Sequence, residues 1–153
     1  MKSFLVAVFF AATFLQPHSH AQGRADFSGT WKLDPARSAS AAFGPVTLVI
    51  SQSSAELKIE TTKQGETNEV TYKLDGSELK TPGWTSKARW DGPALMTEVA
   101  GSINNQPVTV KEKRTLSAEG NEMFVDVDLI VQHGYSPITS NYGSGKDVYV
   151  RSR

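Results

Sequence analysis

The chain contains no cysteine. That single absence removes disulfides, thiolate nucleophiles and cysteine-ligated zinc together. Histidine is almost as scarce, with only His18, His20 and His133. A set this sparse does not build a transition-metal site, and no metal or cofactor is expected. Charge of one sign is missing too, because 16 basic residues balance 16 acidic ones and they are spread singly along the chain. Nucleic-acid binding needs a clustered positive field, and anionic membranes attract polybasic stretches; neither is here. The most apolar run, Phe4 to Leu15, is 12 residues, well short of the ~20 that span a bilayer. Helical periodicity is almost absent past that run.

What is present begins with an address. Lys2, the short apolar run and the ending Ser19-His20-Ala21 have the three parts of a secretory signal peptide. Cleavage after Ala21 is expected, with residues 22–153 forming one domain and the protein exported to the periplasm or the extracellular space. The cleaved segment holds one basic residue and no acidic one, so the remainder carries a net charge of −1. Lacking a cysteine to acylate, the mature protein is expected to carry no lipid anchor.

The rest of the chain alternates. Val46, Leu48 and Ile50 share a face, as do Leu57 and Ile59, then Val70, Tyr72 and Leu74, then Trp84, Ser86, Ala88 and Trp90. Later, Met123, Val125, Val127, Leu129 and Val131 alternate with Asp126 and Asp128. Side chains in a strand point to opposite faces with period two, so a sheet with one dry face must alternate. Turn residues at Asp75-Gly76, Asp91-Gly92 and Glu119-Gly120-Asn121 separate the runs. The pattern predicts an all-β protein of about eight or nine strands in an up-and-down antiparallel meander, which closes into a barrel to remove its edges. One connection, from His133 to Gly145, is long for a hairpin and is expected to be a functional or mobile loop.

The first strand reads FSGTWKL, with Phe27, Gly29, Trp31 and Leu33 on one face. Glycine in a strand marks a bend or a close backbone approach, and a neighbouring Trp can plug a barrel end. Asp34 then caps a short helix with Pro35 in its first turn, and Gly44-Pro45 stops it. Gly29-x-Trp31 resembles the signature of lipocalins and other calycins. DFSGTWKL is similar to the opening of intracellular fatty-acid-binding proteins. With Arg37-Ser38 and Phe43-Gly44-Pro45 the stretch resembles small exported bacterial lipocalin-like proteins. The motif covers about 20 residues, and the strand rhythm extends the likeness loosely to the whole mature chain. The resemblance implies a lipocalin-like barrel that binds an apolar ligand, with a late-strand Arg (Arg151 or Arg114) paired to the Trp. Two departures stand out. Only about a dozen residues follow the first strand, too few for a two-helix lid. Where fatty-acid-binding proteins resemble Arg-x-Tyr in the last strand, this chain has Asp147-Val148-Tyr149. Tyr149 matches, but Asp147 repels a carboxylate.

Chemistry is expected along PVTVKEKRTLS. Val108, Val110, Glu112, Arg114 and Leu116 share a face that is apolar at both ends, so Glu112 and Arg114 point inward. Buried charges must be paired. Either they anchor a ligand, Arg114 taking an anionic group and Glu112 a donor, or they pair with each other, or Arg114 stacks on Trp31, or this half of the strand lies outside the barrel rim. Tyr72, Trp84 and Trp90 are expected beside them, as cavity lining or as core. No hydrolase motif accompanies His133, Ser136, Asp126 and Asp128, and Gly143-Ser-Gly-Lys146 precedes a strand, unlike a P-loop. No enzyme is therefore expected. The expected function is binding of a small apolar molecule in the barrel cavity. The alternative is a filled barrel that engages a protein partner through the 133–145 loop.

Overall fold

The computed structural model describes residues 23–132 and 140–152. The expected signal peptide and residues 133–139 of the expected loop lie outside them. The described residues form ten strands: β1 Gly29–Leu33, β2 Val46–Gln52, β3 Glu56–Lys63, β4 Glu66–Lys73, β5 Leu79–Thr81, β6 Trp84–Asp91, β7 Ala94–Ile103, β8 Gln106–Leu116, β9 Glu122–Gln132 and β10 Ser140–Arg151. All neighbours run antiparallel, in the order β4-β3-β2-β1-β10-β9-β8-β7-β6-β5. The first and last strands therefore pair, as Trp31 does with Arg151, and the sheet curls into a nearly closed barrel. The two ends of the order, β4 and β5, share no ladder. The gap is bridged instead by the Ser86 hydroxyl, which donates to the Thr71 carbonyl at 2.6 Å.

Three expectations change. The strand count is ten rather than eight or nine, because β5 is only three residues long and leaves no alternation to read. The expected α-helix is a single 3-10 turn, Ala39–Phe43, and it starts four residues beyond Pro35. Asp34 builds a local turn instead, accepting from the Ala36 amide at 3.0 Å and from Arg37 Nε at 2.7 Å. Ser38 stands at the head of the 3-10 turn, but its hydroxyl serves β10, accepting from the Val148 amide at 2.9 Å and donating to the Val148 carbonyl at 3.2 Å. The expected 133–145 loop is also shorter. Ser140 to Gly145 extend β10 and pair with Gln132 to Val127, so the P-loop-like Gly143 to Lys146 stretch is plain strand. The glycines of the three expected turns do take positive φ, and Asn104-Asn105 makes a further turn of the same hand between β7 and β8.

The core fills one end of the barrel. Phe27, Trp31, Leu57, Leu95 and Met123 are fully buried there. Trp31 donates from its indole nitrogen to the Phe27 carbonyl at 2.9 Å. Arg151 lies over the Trp31 ring at 4.2 Å and donates to the carbonyls of Ser28 and Gly120. Of the two arginines the resemblance offered as the partner of Trp31, the structure selects Arg151. Arg151 also explains Gly29, whose φ is +131° and where an added Cβ would sit 2.7 Å from an Arg151 guanidinium nitrogen. Backbone conformation and space both demand glycine there. Gly29→Ala is expected to destabilise the barrel by at least ~1 kcal/mol, read as a lowered urea midpoint. An unchanged midpoint would show that the close approach carries no weight.

Candidate functional site

Strand β8 runs between β7 and β9, and its register sets the site. Glu112 lies between Thr97 and Val127, and Arg114 lies one step on, between Leu95 and Val125. Alternation turns both charged side chains into the barrel, as the sequence pattern predicts. Arg114 is 3 % exposed. Its guanidinium ion-pairs with the Glu112 carboxylate and donates to the Thr97 hydroxyl at 2.6 Å. Thr97 in turn donates to Glu112 at 3.3 Å, closing a three-residue ring of hydrogen bonds. Of the four arrangements open from sequence, the side chains adopt the mutual pair. Burial is the largest single influence and works against the Arg114 charge, but the Glu112 carboxylate together with Tyr72 and Tyr149 outweighs it and holds the guanidinium pKa above its ordinary value. Removing one partner from a buried pair of this kind costs about 3–5 kcal/mol. One guanidinium nitrogen has no partner: Arg114 Nε is buried without a protein acceptor.

The pair faces a cavity of about 260 Å³ in the barrel interior. Leu48, Ile59, Val70, Val99, Val110 and Val125 make its apolar wall, and Tyr72 and Tyr149 stand with Glu112 and Arg114 in its polar part. Tyr72 is 3 % exposed, and burial pushes its phenol up to about 12. Burial also raises Tyr149, helped by the Asp147 carboxylate. Asp147 itself is buried and accepts from the Ser40 amide at 2.8 Å. It thereby ties the 3-10 turn to β10 across one end of the interior. Phe43 at the end of that turn accepts through its carbonyl from Gln64 Nε2 at 3.1 Å, so the turn spans from β10 to the β3–β4 hairpin.

The structure separates the aromatic residues that the alternation groups together. Tyr72 and Tyr149 line the cavity with Glu112 and Arg114. Trp90 does not. It stacks on Phe27 at 6.2 Å in the filled end, with Arg24 at 5.5 Å from its ring. Trp84 also lies elsewhere, in a crevice of about 530 Å³ along the gap between β4 and the β5–β6 hairpin. It covers Gly101, where an added Cβ would fall 2.3 Å from the indole. Both tryptophans have inward parity, but parity gives a face and not a height along the barrel axis. Val70 and Val99 line both the crevice and the cavity, so the two spaces share a wall. Sequence reasoning missed Thr97. Its signal was available, since Leu95, Thr97 and Val99 alternate and Thr97 is the one polar residue among them. His133 and Ser136 lie outside the described residues. Among the described residues, no three His, Cys, Asp or Glu side chains gather as a metal site.

No protein-family model and no characterised protein sequence matches the chain. Solved structures do. The apo form of lipid binding protein 8 (LBP-8) of Caenorhabditis elegans superposes with a TM-score of 0.54 at 11% identity, covering 82% of this chain and 95% of that one. Human cRBP IV gives 0.53 at 19% identity, covering 84% and 99%. A variant of the fluorescent protein UnaG gives 0.51 at 16% identity, covering 83% and 96%. None of the three is named as an enzyme. At these identities the likeness concerns the fold alone: a nearly closed antiparallel barrel like those of these three proteins.

The tyrosines give a test of the site's burial. Tyr72 ionises near 12 when folded against an ordinary 10. A raised acid pKa means that the folded state binds the proton more tightly, so its contribution is full below pH 10 and is lost as pH climbs towards 12. Urea midpoints should therefore fall across that window, and Tyr72→Phe should flatten part of the fall. An equal slope in the variant would place the Tyr72 phenol in water.

Proposed function

We propose that the protein is an exported, non-enzymatic carrier or sensor that binds a small, mainly apolar molecule inside its barrel. The observation that carries this reading is the cavity itself. A space of about 260 Å³ has six aliphatic side chains on its wall and one compact polar group within it. Ligand sites commonly combine an apolar wall with a few convergent polar groups. The volume lies just under the ~300–1,000 Å³ of drug-sized sites, which argues for a compact ligand. The fold neighbours include a protein named for lipid binding, which supports the same reading. The crevice along the β4–β5 gap offers the ligand a way in, because Val70 and Val99 line both it and the cavity. Export rests on the first 21 residues, with their basic start, short apolar run and small-residue ending.

Phenylnaphthylamine, an uncharged dye that brightens in apolar surroundings, tests both parts. The protein secreted by its own host should begin at Gln22 and should bind the dye with a stoichiometry of one. Val125→Phe, which fills the cavity from its wall, should weaken binding at least ~10-fold while costing about 1–3 kcal/mol of stability. Equal binding by a folded variant would move the site out of the barrel. A retained N-terminal segment would contradict export by cleavage.

A further inference from the structure

Building on the cavity reading above, we infer that the ligand is electrically neutral and presents a hydrogen-bond acceptor, such as the carbonyl of a ketone, ester or amide, to Arg114. Carboxylates are excluded. Glu112 and Arg114 are the charged residues that line the cavity, and they cancel each other. Asp147 is buried close enough to Tyr149 to raise its pKa. Among the described residues, one cation and one carboxylate therefore line the cavity, and a second carboxylate is buried beside Tyr149. An anionic ligand would add a third negative charge in a poorly screened space, with the single guanidinium already committed. Within the guanidinium, two nitrogens are spent on Glu112 and Thr97. Nε is buried and has no protein acceptor. A buried donor without a partner is costly, and hydrogen bonds from a charged donor are among the stronger ones. A neutral acceptor satisfies this donor without disturbing the pair; a carboxylate satisfies it only by competing with Glu112.

Displacement of phenylnaphthylamine decides the matter with three nine-carbon competitors of similar bulk: methyl heptyl ketone, nonanoate and nonane. At neutral pH the ketone should displace the dye at a concentration at least ~10-fold lower than nonanoate, reflecting the cost of an uncompensated buried charge. It should also beat nonane by about 10-fold, the worth of a hydrogen bond to a charged donor. Glu112→Gln frees the guanidinium and should shift the ketone-to-nonanoate ratio towards nonanoate by at least ~10-fold. If nonanoate competes as well as the ketone in the wild-type protein, the neutral-ligand inference is overturned while the cavity reading stands. If nonane equals the ketone, the acceptor requirement fails. If a folded Glu112→Gln protein keeps the wild-type ratio, the pair is not what sets the preference. If the dye itself does not bind, the cavity reading falls and takes this inference with it. The wild-type comparisons hold even where the Gln variant fails to fold.

Discussion

A guanidinium inside a barrel must have its charge answered from within, and much of this interior is arranged around that demand. Arg114 sits where solvent cannot screen it. Its answer comes from Glu112, two residues along the same strand, and from Thr97 on the neighbouring one. This works only because the β7–β8 register sets Thr97 opposite Glu112. A slip of one residue would turn Glu112 and Arg114 to the outside and Lys111 and Lys113 to the inside. The ion pair thus both depends on the register and penalises its loss.

The rest of the barrel follows from closing a sheet with unequal ends. At one end, Trp31, Phe27 and Leu57 fill the interior, and Arg151 seals it by lying on the Trp31 ring while donating to carbonyls from two loops. Towards the other end, glycines replace bulk on the inward side of β10, at Gly143 and Gly145, and space opens. The 3-10 turn lies against Gly145, where Ala39 would meet an added Cβ at 2.9 Å. Asp147 holds the turn in place through the Ser40 amide. Asp147, which stands where an arginine would be expected by likeness to fatty-acid-binding proteins, is here a strut for the short lid. One substitution of residue type therefore bears on two properties: the lid has an acceptor, and the cavity lacks a second cation.

Period-two alternation made nine of the ten strands readable, and it correctly turned Glu112 and Arg114 inward. Gly29 and Trp31 announced the sealed end, because a strand glycine leaves room for a close approach and a tryptophan beside it has the bulk to plug a barrel. What remained hidden had physical causes. The three residues of β5 are too few to show a period. The helix was overread because Asp34-Pro35 is a good helix start, whereas here the Asp34 carboxylate is held by Ala36 and Arg37. Trp84, Trp90 and Tyr72 share one parity, but only the barrel's stagger determines which of them reaches the cavity. The partners of Arg114 and Trp31 depended on pairings between distant strands, which a single sequence does not specify.

The central claim is that Arg114, already neutralised by Glu112, offers its unpartnered Nε–H to a neutral ligand. Its most direct test is nuclear magnetic resonance of the protein with isotope-labelled arginine. The Arg114 Nε–H signal, assigned by its loss in Arg114→Lys, would be followed as methyl heptyl ketone is added. The account predicts that this signal alone among the arginines moves strongly downfield and becomes protected from exchange with water, while Arg151 stays fixed. A ketone that binds and leaves the Arg114 signal in place would contradict it.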